Sequence, residues 1–189
     1  MFYQYDNKEH EEKAKEVLSG LGEFVIAFER VCAEMRSVIL CIFRKEGLKN
    51  QGLSQIVVNK SAAEALRTSL GGLYSELRDQ DEKDIKLVKQ LLSRVDKLGS
   101  IRNKLLHAEW FLNYDYENAN DKFTALALKH STSQNSGAYS LTIPVSKESL
   151  NAHVREATEI QVMMRRFGLC MNQNGLKISD VLSKPLYIA

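Results

Sequence analysis

The stretch Ser100-Ile101-Arg102-Asn103-Lys104-Leu105-Leu106-His107-Ala108-Glu109-Trp110 gathers three side chains suited to phosphate chemistry. Arg102 carries a planar guanidinium fork that can hold two phosphate oxygens at once. His107 carries an imidazole, the group that moves a proton near neutral pH. Asn103 adds a small amide that can donate and accept. On a helix, Asn103 and His107 share a face one turn apart, and Arg102 pairs with Leu106 on the adjacent one. Arg102 and His107 then lie roughly 140° apart around the axis, so they can border one cleft from different walls.

An arginine, a polar residue, three variable positions and a histidine resemble the signature of HEPN-domain proteins, carried here by Arg102, Asn103 and His107. The resemblance implies an antiparallel helical bundle with the motif at the start of a later helix. It also implies a metal-independent endoribonuclease that works as a homodimer, with the site at the dimer interface. RNA brings its own nucleophile, the 2′-hydroxyl. One histidine takes that proton, and a second group protonates the leaving 5′-oxygen. Each chain offers one motif histidine, so a two-fold dimer supplies acid and base together. Arg102 would stabilise charge on the phosphoryl oxygens. Asn103 would orient His107 or bond the phosphate. The expected products are a 2′,3′-cyclic phosphate and a 5′-hydroxyl.

The same resemblance admits a toxin or an antiviral-defence effector, with an antitoxin as partner in the first case. Some toxin members carry a tyrosine two residues after the histidine, which a partner nucleotidyltransferase modifies. Glu109 stands there, followed by Trp110, and Tyr114 and Tyr116 do not match. That route of silencing does not fit. Trp110 reads as core or interface packing, with base stacking the sharper alternative. A rival reading of the whole motif is non-enzymatic: a helical module that binds a nucleotide, an RNA or a partner protein through the same cleft. In the plainest reading, Arg102 is a solvated or salt-bridged helix residue and His107 a hydrogen-bonded, half-buried one.

These side chains need a scaffold, and the chain has the means to build one. Its 189 residues, 44% apolar and 26% charged, are those of an ordinary globular protein, read as one domain over 1–189. A net charge of +2 is too small to announce nucleic-acid binding, so any RNA contact must be local. Three cysteines, Cys32, Cys41 and Cys170, sit inside or beside helical patterns. They read as reduced thiols in a cytoplasmic protein, and no Cys or His spacing suits zinc. No metal and no cofactor is expected. The N-terminus lacks the order of a signal peptide, and the apolar run 24–43 is interrupted by Glu29, Arg30, Glu34 and Arg36, so no membrane span is expected.

Apolar spacing of three and four predicts the elements. A short charged helix is expected over 7–19, broken by Gly20 and Gly22, and a long one over 23–45, ended by Gly47. A loop through Asn50, Gln51 and Gly52 leads to a helix capped by Ser61, with Glu64 as its capping-box partner. Ile85, Val88, Leu91, Leu92, Val95 and Leu98 mark the next helix, for which Gly99 is a natural stop. A new helix then starts at Ser100 and runs to Phe111 or Leu112. That places Arg102 in a first turn, where exposed amides favour anions.

Alternation over 122–130 and 138–145 predicts a β-hairpin with Pro144 at its exit. Ser146 caps a final long helix, whose stripe runs from Leu150 to Met171; Gly168 inside it weakens the last turn and offers an earlier end, and Gly175 lies just past the later one. Residues 176–189 are expected to pack as an irregular arm. The expected fold is therefore mainly α: an antiparallel helical bundle of HEPN-like design with one β-hairpin inserted at about 122–145, before the last long helix.

Overall fold

The computed structural model describes residues 8–78, 80–113, 123–133, 137–173 and 175–182. Within them the chain is mainly helical, with one small antiparallel sheet. In order it forms α1 (Lys8–Lys45), α2 (Gln51–Val58), α3 (Ala63–Ser75), α4 (Glu82–Leu106), β1 (Glu109–Leu112), β2 (Ala125–Ser133), β3 (Gly137–Pro144), α5 (Lys147–Asn172) and α6 (Ile178–Leu182). Two compact units share these elements. The first takes Met1–Ile26 and Ser100–Val154, the second Ala27–Gly99 and Arg155–Ala189.

The two helices expected before residue 46 are one. Ala14, Val17, Phe24, Phe28, Val31, Met35, Ile39 and Ile42 form a buried stripe along α1, and it does not stop at Gly20 or Gly22. A helical glycine costs only about 1 kcal/mol against alanine, which a long apolar stripe outweighs. Gly20 has a packing reason to be there. A Cβ on it would meet the Leu150 side chain at 3.3 Å, so glycine permits a close approach within the first unit.

Gly99 likewise fails to stop a helix. α4 continues through it to Leu106, because the buried row Val88, Leu91, Val95 and Leu98 is extended by Leu105. A Cβ on Gly99 would meet the Phe28 ring at 3.3 Å, so this glycine, too, makes room for a neighbour. Arg102 therefore sits in the closing part of a long helix and not in the first turn of a new one.

The first unit is built around the sheet, in the order β1-β2-β3. The hairpin expected at 122–145 is present as β2 and β3, paired from Leu126↔Pro144 to Ser133↔Gly137. A third strand lies where helix was expected. Glu109 to Leu112 pairs antiparallel with β2, Trp110 opposite Ala127 and Leu112 opposite Ala125. Trp110 and Phe111 suit a pleated surface better than a helix. Asn113, at φ 60, ends the strand in a left-handed turn that asparagine tolerates, and its N–H donates to the Thr124 carbonyl at 2.7 Å. Leu112, Ala125, Ala127 and Val145 join Ala14, Val17, Phe24 and Leu150 in this unit's core. The turn between β2 and β3 falls partly outside the described residues.

Residues of α1 to α6 fill the second unit. Its core holds Met35, Ile39, Leu66, Leu70, Leu91, Ile160, Met164 and Phe167. Tyr74 meets Phe167 edge to face, 5.3 Å between centroids. α2 was not expected from the sequence; the Asn50 side chain caps it by accepting from the Leu53 N–H at 3.3 Å. α3 begins after Ala62, without the cap expected of Ser61, whose hydroxyl donates instead to the Val57 carbonyl. α5 begins as expected. The Ser146 hydroxyl accepts from the Ser149 N–H, the Ser149 hydroxyl accepts from the Ser146 N–H, and the helix runs past Gly168. Part of the arm expected over 176–189 is helical, as α6. Asp84 is buried because it caps α6, accepting from the N–H groups of Ile178 and Ser179 at 3.0 and 2.8 Å. The rest of the arm, with Pro185, Leu186 and Tyr187, lies outside the described residues.

Candidate active site

Arg102 and Asn103 lie in the last turns of α4, and His107 follows directly after its end. The Arg102 guanidinium donates through Nη1 to Asn103 Oδ1 at 3.1 Å. The His107 backbone N–H closes the last helical turn on the Asn103 carbonyl at 3.2 Å. Asn103 and His107 are exposed and Arg102 is half-buried. Among the described residues nothing hydrogen-bonds the His107 ring. Asn103 therefore orients Arg102, where the sequence offered His107 or a phosphate as its partner. The amide oxygen makes that bond and leaves the NH2 group as a donor for a ligand.

The position has an electrostatic consequence. A helix end carries partial negative charge from its unpaired carbonyls and favours cations. Arg102, with Lys104 in the last turn, fits that field. The field does not help an anion, contrary to the first-turn expectation. Any phosphate held here relies on the side-chain charges of Arg102 and Lys104.

Two residues outside the motif shape this end of the helix. The Trp110 indole N–H donates to the Leu105 carbonyl at 2.9 Å, which satisfies one of the orphan carbonyls of α4. Trp110 thus fixes the turn from α4 into β1, just after His107. Its role is capping with half-buried packing. Lys104 lines an apolar cavity of about 230 Å³ on another face of the same turns, together with Ile101, Leu105, Leu141, Ile143 and His153. The His153 ring packs 5.3 Å from that of Phe24. The one sequence signal for the cavity is the Ile101-Lys104-Leu105 spacing, which marks a second face of the motif helix.

Cys32, Cys41 and Cys170 are buried thiols outside any disulfide, and burial pushes the Cys170 thiol up from its ordinary value. Among the described residues no group of three or more His, Cys, Asp or Glu side chains is arranged to hold a metal ion. Among them, too, no helix is long and apolar enough to cross a membrane. Tyr114 and Tyr116 lie outside the described residues. Compared with known proteins, the chain matches no family model, no curated protein and no solved structure.

Proposed function

We propose that the protein is a metal-independent endoribonuclease of the HEPN type, in which the exposed end of α4 is half of a catalytic groove. The observation that carries this reading is the cluster itself. An exposed imidazole and a guanidinium bonded by an amide share the C-terminal end of one helix. Arg102 neutralises the phosphoryl oxygens as charge builds on them. His107 takes the 2′-hydroxyl proton, and the 2′-oxygen attacks phosphorus. The partner chain's copy of the histidine protonates the 5′-oxygen as its bond to phosphorus breaks. The RNA is left with a 2′,3′-cyclic phosphate and a 5′-hydroxyl. Exposure of the motif in a single chain supports a groove completed by a second one. A role as toxin or defence effector belongs to the same reading.

The test is incubation of a 5′-labelled single-stranded RNA with the protein in EDTA, wild type beside His107→Ala. Cleavage by the wild type, slowed by about 10²–10⁴ in the variant, is the expected result. Equal cleavage by both proteins would end the proposal.

A second reading rests on a different observation. α2 carries no charged residue and turns Leu53, Ile56 and Val57 to solvent, 55%, 74% and 65% exposed. Exposed large side chains at i, i+3 and i+4 mark a helix face that takes a partner. This supports a non-catalytic interaction module, for which RNA cleavage would be absent from wild type as well.

A further inference from the structure

Among the described residues, the outer edge of β3 pairs with no further strand. β3 stands last in the order β1-β2-β3, and all its residues except Ile143 are exposed. Natural edge strands are commonly blunted by lysines, bulges or central prolines. β3 reads Gly-Ala-Tyr-Ser-Leu-Thr-Ile-Pro, with no charge and its one proline at the end.

The hydrogen-bond phase of this edge follows from one contact. The Val145 N–H donates to the Ala125 carbonyl at 2.9 Å, in register with Leu126↔Pro144. Backbone groups alternate sides along an antiparallel strand. Odd-numbered residues of β3 therefore turn their N–H and C=O toward β2. Ala138, Ser140 and Thr142 turn theirs outward. Pro144 falls on the outward set, where its missing N–H costs the sheet nothing.

We propose that the occupant of this edge is β3 of a second copy of the chain, paired antiparallel about a two-fold axis at Leu141. The register is self-complementary. Leu141 stands opposite Leu141 of the partner subunit, at a non-hydrogen-bonded position where side chains approach most closely. Tyr139 stands opposite Ile143 of the partner subunit. Ser140 and Thr142 exchange both backbone bonds across the axis. Tyr139 and Leu141, 50% and 39% exposed, continue on one face into the same row of the other copy. Leu141 and Ile143 also wall the 230 Å³ cavity, so the added strand extends that apolar wall. With no charge on either strand, no like charges meet and a charged peptide gains nothing here. This inference stands apart from RNA cleavage, since an inactive protein can still pair through β3.

The test uses the full chain in two ways. Sedimentation velocity over a wide concentration range compares wild type with Thr142→Pro. That proline removes an outward N–H and spares the bonds to β2. Wild type is expected to dimerise, and the variant to dimerise at least tenfold more weakly with its melting temperature little changed. Leu141→Cys under mild oxidation is expected to yield a disulfide-linked dimer, because its two copies face each other. Ala138→Cys is not, because its two copies lie far apart along the strands. A wild type that stays monomeric at every concentration would overturn the proposal. So would a dimer that neither weakens with Thr142→Pro nor cross-links through Leu141→Cys.

Discussion

Arg94 and Arg102 lie on the same helix and do opposite work. Arg94 is held by two carboxylates of α5: Nε donates to Glu156 at 2.7 Å, and Nη2 donates to Glu156 at 2.8 Å and to Glu159 at 2.9 Å. Those bonds, with Glu156 first, raise its already high proton affinity further. Arg102 donates to an amide at 3.1 Å, and an exposed His107 follows the end of the same helix. A fork fixed on two anions is a brace within the second unit. Arg102 is bonded in part by a neutral amide, at the helix end where the two other motif residues also lie. The difference teaches that place along the helix and neighbouring side chains, and not the residue type, separate a brace such as Arg94 from a candidate site residue such as Arg102.

The comparison can be broken by exchanging readouts. Arg102→Ala is expected to slow RNA cleavage by about 10²–10³, with the melting temperature nearly unchanged. Cleavage kinetics and thermal unfolding of the same preparation check both halves. Arg94→Ala should do the reverse. It takes the guanidinium away from two half-exposed carboxylates and is expected to cost about 1 kcal/mol in urea unfolding, with the folded fraction cleaving at the wild-type rate. Loss of activity in Arg94→Ala at unchanged stability would erase the distinction.

Smaller effects sharpen it. Gly99→Ala forces a methyl group against Phe28, at 3.3 Å from its ring, and is expected to cost about 1 kcal/mol or somewhat more. A helix that merely paused at Gly99 would instead gain stability from alanine. Trp110→Phe keeps the ring and deletes the bond to the Leu105 carbonyl, for about 1 kcal/mol and a measurable loosening of the α4 end in amide exchange.

Tyr74 gives a pH signature of the second unit alone. Burial, followed by the nearby Asp84, pushes its phenol up to about 12. The folded state therefore keeps this proton where an unfolded tyrosine loses it. Its contribution to stability is complete below about pH 10 and is lost as pH rises toward 12. Tyr74→Phe is expected to flatten that part of the alkaline stability curve, measured by urea unfolding against pH.

Much of the frame was legible from apolar periodicity. The stripes of α1 and α5 were visible, as were the Ser146 cap and the alternation of β2 and β3. What misled was glycine. Gly20 and Gly99 look like stops in a one-dimensional reading, yet each lets a side chain from elsewhere in its unit approach, Leu150 in one case and Phe28 in the other. The continuing stripe, Leu98 to Leu105, was the better signal. β1 was hidden because a four-residue strand has too little pattern of its own and forms against β2. α2 was hidden for the opposite reason: Leu53, Ile56 and Val57 point outward and only Val58 is a buried apolar residue, so no core stripe announces it. At the site, the grouping of Arg102, Asn103 and His107 was readable as helical spacing. Their place at a helix end, and the bond from Arg102 to Asn103, depended on where α4 stops.

The most direct measurement uses an RNA whose nucleotides are all 2′-O-methylated except one. If the end of α4 activates the substrate's own hydroxyl, the wild type cuts only after the unmodified nucleotide. It leaves a 2′,3′-cyclic phosphate there, and His107→Ala leaves the strand intact. Cutting of a fully methylated strand, or equal cutting by His107→Ala, would contradict the account.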